Sequence, residues 1–259
     1  EQLHWHLQQM RFSGEPGWVN EAAGLKRRPN FCGCNPCGEI LLDSHGLCNL
    51  TTVNVMAFVR DGKLDEKALL DAQRLSARAG LRMTCRELEM HRWNQVQQRD
   101  RLLGCSLTGW QDMVNAVGLS REEQAALLDR LRAAAHEAAR KAASALGLNE
   151  PLLVTTIKPE GTLSLLPTVS SGIHYSHAPY YVRRIRISSS DPLCRVCEEL
   201  GYPVYPEVGQ DPETCRTKVV EFPVKAPAGK VKGDVSAIEQ LENYKMFMEH
   251  YVDHNCSIT

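Results

Sequence analysis

Between residues 63 and 93 apolar side chains recur at helical spacing, with Leu70, Leu75, Ala79 and Met83 marking the stripe, and the period predicts one long helix. A second helical pattern opens at Ser120, which forms a capping box with Glu123, and runs through Ala/Leu-rich sequence to about Ala145, stopping near Gly147. Helices are also expected over 1–12, over 190–200, where an Asp or Ser cap precedes Pro192, and over 236–253. Strand patterns lie between them. EILL (39–42) and LCNLTTVNV (47–55) flank the turn residues DSHG (43–46). LLVTTI (152–157) is a short apolar run of the kind buried on both faces of a parallel sheet, and YYVRRIRIS (180–188) alternates. CSIT, from 256, begins a further strand. RLLGCSLTGW (101–110) reads as a Gly-punctuated link into a short helix, 13–20 as a turn-rich break, and 202–235 as a Pro/Gly-rich loop region. Strand–helix–strand alternation defines an α/β chain with parallel strands.

Composition narrows the class. The 259 residues are 43 % hydrophobic and 24 % charged, enough for one large domain or two small ones. A net charge of −1 provides no bulk field to attract nucleic acid or an anionic membrane. KRRPN (26–30) is read as solvated surface, and Arg183, Arg184 and Arg186 as the rim of a strand rather than a nucleic-acid contact. No apolar run approaches the roughly 18 residues of a membrane span, and no signal segment opens the chain. It starts at Glu1 in what reads as mid-helix, so a segment of a longer protein is expected.

Cysteines change the picture most. There are ten, at 32, 34, 37, 48, 85, 105, 194, 197, 215 and 256. Without an export signal, redox chemistry, metal binding and plain burial stand ahead of a secreted disulfide scaffold. Cys32, Cys34, Cys37 and Cys48 could form a zinc site in a binding module, but structural zinc sites usually take a second close pair, and Cys48 stands alone. Cys194 and Cys197 lie one turn apart on an expected helix, where burial is the ordinary reading.

The stretch NPCGEI (35–40) offers a sharper chemistry. Glu39 has the means to take a proton from an alcohol. Asn35 can hold a hydroxyl by hydrogen bonds. Cys37 can act as a nucleophile or, oxidised by one electron, as a hydrogen-atom abstractor. In extended chain, residues i, i+2 and i+4 share a face, which would aim all three at one substrate. If 43–46 closed a flat hairpin, Cys48 would fall opposite Leu41, too far from Cys37 to share a sugar, so the loop is expected to bend. Further on, KPEGTLSLL follows an apolar strand with a helix start, where free N–H groups suit phosphate; a plain helix cap at Thr162 is the alternative. His174 and His177 follow closely, bordering substrate or cofactor or serving the structure.

NPCGEI resembles the active-site loop of ribonucleotide reductases. GEPGWVN, LCNLTTVNV, RLLGCSLTGW, KPEGTLSLLPTVSSGIH, YYVRRIRISSSDPL and HNCSIT are similar to stretches of the adenosylcobalamin-dependent, triphosphate-reducing members, so the resemblance spans nearly the whole chain. It implies part of a ten-stranded α/β barrel with a central finger loop, residues 1–259 forming one partial catalytic domain. It implies that Cys37 becomes a thiyl radical that removes the ribose 3′ hydrogen, that Glu39 takes the 3′-OH proton, and that Asn35 positions the hydroxyls. Cys48, eleven residues on, matches one of two cysteines that deliver reducing equivalents and end as a disulfide. Glu160, Gly161, Thr162 and Ser164 match the substrate-phosphate loop; Lys158 and the extra thiols Cys32 and Cys34 have no assigned role. The implied cofactor is adenosylcobalamin, whose cobalt–carbon homolysis supplies the radical. The implied partners are a ribonucleoside triphosphate or diphosphate and a thioredoxin-like reductant, with no membrane or nucleic acid, in the cytoplasm. The family's second redox cysteine and its C-terminal cysteine pair have no matching motif here. A reductase drawing its radical from a separate metal-containing subunit is the alternative within the family.

Overall fold

The computed structural model describes residues 1–258. In chain order its elements are α1 (Gln2–Ser13), α2 (Glu21–Arg27), β1 (Gly33–Cys34), β2 (Leu41–Leu42), β3 (Asn49–Asn54), β4 (Val59–Arg60), β5 (Lys63–Leu64), α3 (Glu66–Met83) and α4 (His91–Asp100). Then follow β6 (Leu103–Thr108), α5 (Trp110–Val117), α6 (Arg121–Leu146), β7 (Tyr180–Ser188), α7 (Pro192–Glu199), β8 (Val204–Pro206), β9 (Thr217–Lys225) and α8 (Ala237–His250).

Four parallel stretches lie side by side. β3 pairs with β6 in register from Asn49–Leu103 to Asn54–Thr108. Cys105 then bridges to Thr155, and Ile157 to Cys256, both parallel. Helices fill each crossover, as parallel pairing requires. α3 and α4 join β3 to β6; α5 and α6 join β6 to the 153–157 stretch. β6 is buried along its whole length, flanked on both sides. The main core sits between it and the helices: Leu107, Trp110, Leu128, Phe247 and Tyr251 are all within 0 % exposure, and Trp110 meets Phe247 edge-on at 5.1 Å. A separate antiparallel sheet, ordered β7–β9–β8, carries α7.

Several local expectations hold. Ser120 Oγ accepts from Glu123 N and the Glu123 carboxylate from Ser120 N, so α6 opens on the capping box and closes at Gly147 in the left-handed region. Asp191 caps α7 with Pro192 in its first turn. β7 alternates as read, over the residues expected.

Others need correction. The pattern over 63–93 is two helices: α3 ends at Thr84, whose N–H and hydroxyl turn back to Leu81, and α4 restarts at His91. The stripe on α3 is also different. Leu75 and Met83 are exposed at 62 % and 43 %, whereas Leu69, Gln73, Ser76, Ala77, Gly80 and Leu81 are buried. Gln73 donates to Tyr251 Oη at 2.7 Å and Ser76 meets Thr51 Oγ1 at 2.7 Å, so these polar groups are buried with their bonds made. Residues 103–108 are a strand, not a link. Gly104 is there because a side chain would come within 2.5 Å of Leu50 and 3.0 Å of Ile40. The region 202–235 contains β8 and β9. No helix among the described residues is long and apolar enough to cross a membrane.

Candidate active site

The stretch NPCGEI is a turn between β1 and β2, which pair antiparallel as Gly33–Leu42 and Cys34–Leu41. Gly38 N donates to Asn35 O at 2.9 Å, closing a four-residue turn with Pro36 at its second position, where its fixed φ fits. Gly38 has a φ of 76°, a conformation that glycine adopts without steric cost. The shared face expected for an extended Asn35–Cys37–Glu39 therefore does not arise from strand periodicity. Cys37 instead stands exposed at the tip, while Glu39, just past the turn, is 2 % exposed. Asn35 works partly for the loop itself: its Oδ1 accepts from Ile40 N at 3.0 Å, leaving Nδ2 without a partner among the described residues.

Residues 43–46 do not close a flat hairpin between β2 and β3. β2 pairs with β1, and β3 with β6, so the turn at 43–46, closed by Gly46 N to Asp43 O at 2.9 Å, carries the chain from one sheet to another. Cys48 then sits half-buried at the start of β3. Burial, followed by the negative charge of Glu39, pushes its thiol up to about 12, with Lys158 pulling the other way. Cys34 is raised by the same two causes, burial and Glu39. Glu39 is thus electrostatically in touch with both flanking thiols. Its Oε2 is buried and has no hydrogen-bond partner among the described residues.

A second cluster lies beside it. Glu160, held at a φ of 60°, is buried and accepts from Thr52 Oγ1 at 2.6 Å, while Lys158 Nζ stands 3.5 Å from its Oε2 and 3.3 Å from Thr52 Oγ1. The Glu160 side chain thus turns back onto β3, a structural job the sequence did not reveal. The backbone is different. Ser164 N bonds to Glu160 O and Leu165 N to Thr162 O, whereas the N–H groups of Glu160, Gly161, Thr162 and Leu163 meet no protein acceptor among the described residues. Gly161 and Thr162 are exposed; Ser164 is buried, and its carbonyl accepts from Arg183. Arg183 Nη2 also donates to Val169 O at 2.6 Å, bracing the far end of this loop.

The sequence reading missed the groups that hold the thiol loop. Asn255 Nδ2 donates to Gly38 O at 2.8 Å and Asn255 N to Glu39 O at 3.1 Å. Thr156 Oγ1 lies 2.8 Å from Glu39 O. Leu41 N donates to His254 Nδ1 at 3.2 Å, and His254 Nε2 donates to Leu103 O at 2.8 Å. Burial pushes His254 down to about 4, so the ring is neutral and can both accept and donate. HNC (254–256) was legible as a motif, but no local signal ties it to a loop so far away in sequence.

Among the described residues, no group of three or more His, Cys, Asp or Glu side chains is placed to hold a metal ion. His174 is half-buried, its Nδ1 2.8 Å from Ser171 O, and burial lowers its pKa. Together with His177, Arg183 and Lys232 it lines a cleft of about 390 Å³; Cys37, Glu39 and Cys48 do not border that cleft.

No family model matches the chain. The fold is similar to that of a crystal structure of a B-12 dependent (class II) ribonucleotide reductase, at a TM-score of 0.78 and 27 % identity over 90 % of this chain and 35 % of that one. The adenosylcobalamin-dependent ribonucleoside-triphosphate reductase of Levilactobacillus brevis is 30 % identical over 96 % of this chain and 38 % of its own length. The enzyme of the same description from Lacticaseibacillus paracasei is 29 % identical over 95 % of this chain and 37 % of its own. The chain belongs to the adenosylcobalamin-dependent (class II) ribonucleotide reductase family, and spans little more than a third of the length of the curated relatives it matches.

Proposed function

We propose that the intact protein reduces ribonucleoside triphosphates to 2′-deoxyribonucleotides by radical chemistry at the 35–40 loop, with the parallel stretches forming part of a ten-stranded barrel and the loop its central finger. The observation that carries this reading is Glu39. A carboxyl oxygen buried without a partner is costly, and a substrate hydroxyl is the partner it lacks. Beside it, exposed Cys37 is a sulfur reachable from outside.

In this reading Cys37, as a thiyl radical, removes the ribose 3′ hydrogen. Glu39 takes the 3′-OH proton, and the 2′-OH leaves as water. The free Nδ2 of Asn35 donates to a substrate hydroxyl. Cys48 and a second thiol from elsewhere in the intact protein supply two electrons and the hydrogen that C2′ gains, closing a disulfide that a thioredoxin-like dithiol reopens by exchange, and C3′ takes its hydrogen atom back from Cys37, which regenerates the thiyl radical. The unpartnered N–H groups from Glu160 to Leu163 receive the phosphates, with the Thr162 and Ser164 hydroxyls as further donors. Adenosylcobalamin, when bound, supplies a carbon radical; the exposed thiol of Cys37 fits that requirement. The adenosylcobalamin dependence of the relatives favours this source over a separate metal-containing subunit.

The test is the intact protein with adenosylcobalamin, a ribonucleoside triphosphate and a dithiol. Deoxyribonucleotide should form over many turnovers in the wild type, not at all in Cys37→Ser, and in Cys48→Ser should stop at the reductive step. Product from Cys37→Ser would remove the thiol from its role.

A further inference from the structure

The main chain of the thiol loop is fastened chiefly by one residue outside it. Asn255 holds three positions at once: its N–H donates to Glu39 O at 3.1 Å, its Nδ2 to Gly38 O at 2.8 Å, and its Oδ1 accepts from Tyr244 Oη at 3.1 Å. The phenol matters for orientation. A hydroxyl that donates to the carboxamide oxygen leaves the nitrogen as the end that faces the loop. Thr156 Oγ1 lies 2.8 Å from both Glu39 O and Asn255 O, so it joins the loop to the same residue. The two carbonyls gripped this way, of Gly38 and Glu39, directly follow Cys37.

We propose that Asn255 is the positioning residue of the thiol loop, fixing where the Cys37 sulfur and the Glu39 carboxyl stand relative to a bound sugar, with Tyr244 setting the orientation of its amide. The proposal rests on the reading of Cys37 and Glu39 as the reacting pair. Reactions between held groups are steep in distance: a misplacement of about 1 Å costs on the order of 100-fold. Asn255 touches no reacting atom. It acts through the carbonyls of Gly38 and Glu39, the second of which Thr156 Oγ1 also meets.

Asn255→Asp in the intact protein isolates the claim. The backbone bond to Glu39 and the acceptor for Tyr244 remain, but an oxygen now faces Gly38 O. Tyr244→Phe, which removes one hydroxyl from the outer end, keeps the question answerable where the first variant does not fold. Two readouts are taken: hydrogen exchange at the bonded amides of Gly38, Ile40 and Leu41, and kcat with KM for deoxyribonucleotide formation. Exchange at these amides should rise roughly tenfold, as expected for losing a bond of typical net strength. In Asn255→Asp kcat should fall by about 10- to 100-fold with KM within about threefold, and Tyr244→Phe should give the same signs with smaller size. Unchanged exchange in both variants overturns the proposal alone. So does faster exchange with unchanged kcat, in a protein that Cys37→Ser inactivates. Turnover that survives Cys37→Ser overturns the radical reading instead, and with it the catalytic half of this proposal.

Discussion

Thr52 Oγ1 donates to Glu160 Oε1 at 2.6 Å, joining the strand that follows Cys48 to the loop with the unpartnered N–H groups. The carboxylate is fully buried, and its remaining neighbour is Lys158 at 3.5 Å. Thr52→Val keeps the shape and removes the donor. Hydrogen bonds to charged groups contribute about 1.5–3 kcal/mol, so stability should fall by roughly that amount in denaturant unfolding. Nucleotide affinity should weaken several-fold as the loop loosens. Unaltered stability and affinity would make the contact incidental.

The charge of Glu39 should be felt at the Cys48 thiol. Glu39 raises the Cys48 thiol and Lys158 lowers it, with burial the larger cause. Glu39→Gln removes the negative charge, so the Cys48 pKa drops and more thiolate is present at a given alkaline pH. Alkylation of Cys48 at about pH 9, followed by peptide mass spectrometry, should be faster in Glu39→Gln and slower in Lys158→Met. Equal rates in all three proteins would mean that the charges do not reach the sulfur.

Asp253, two residues before Asn255, is a buried anchor of this segment. It accepts from Val154 N at 2.9 Å and from Thr155 N at 3.1 Å, and pairs with Arg132 at 2.6 Å and His136 at 2.7 Å. Burial opposes its charge, yet His136 and Arg132 hold the carboxyl well below the usual carboxylate range. A depressed folded-state pKa contributes stability that is present above the unfolded value of about 3.9 and lost as pH falls through the folded one. Asp253→Asn should therefore cost about 3 kcal/mol at neutral pH. The gap to wild type should close only in strong acid. A gap that is the same at pH 7 and pH 2 would contradict the assignment.

Gly172 has a φ of 52°, and a side chain there would come within 2.7 Å of Lys158 O, at the entrance to the 160–164 loop. Gly172→Ala meets both a strained backbone and an immovable carbonyl. It should destabilise by about 2–3 kcal/mol in thermal or denaturant unfolding. Wild-type stability would show that the neighbouring chain yields freely.

What the sequence made legible was local chemistry. The Ser120–Glu123 box, Pro192 in the first turn of α7 and the alternation of β7 each act within a few residues, and each formed where it was read. β6 was missed because Gly104 and the small polar residues around it lower strand propensity; the glycine is explained only by Leu50 and Ile40, which the fold brings against it. The stripe on α3 was misplaced because counting apolar residues ignores buried Gln73 and Ser76, whose partners lie on other elements. The same division runs through the site. Asn35, Cys37 and Glu39 stood out as candidates by residue type, and Cys48 only through the resemblance, whereas Thr156, His254 and Asn255 grip the loop from more than a hundred residues away.

The central claim concerns one sulfur and one carbon–hydrogen bond, and release of tritium from a 3′-tritiated ribonucleoside triphosphate tests it most directly. With adenosylcobalamin and a dithiol present, the intact protein should release a fraction of the tritium to water during turnover, as the Cys37 thiol exchanges before returning its hydrogen to C3′, and Cys37→Ser should release none while still binding the nucleotide. Release by Cys37→Ser at the wild-type rate would contradict the account.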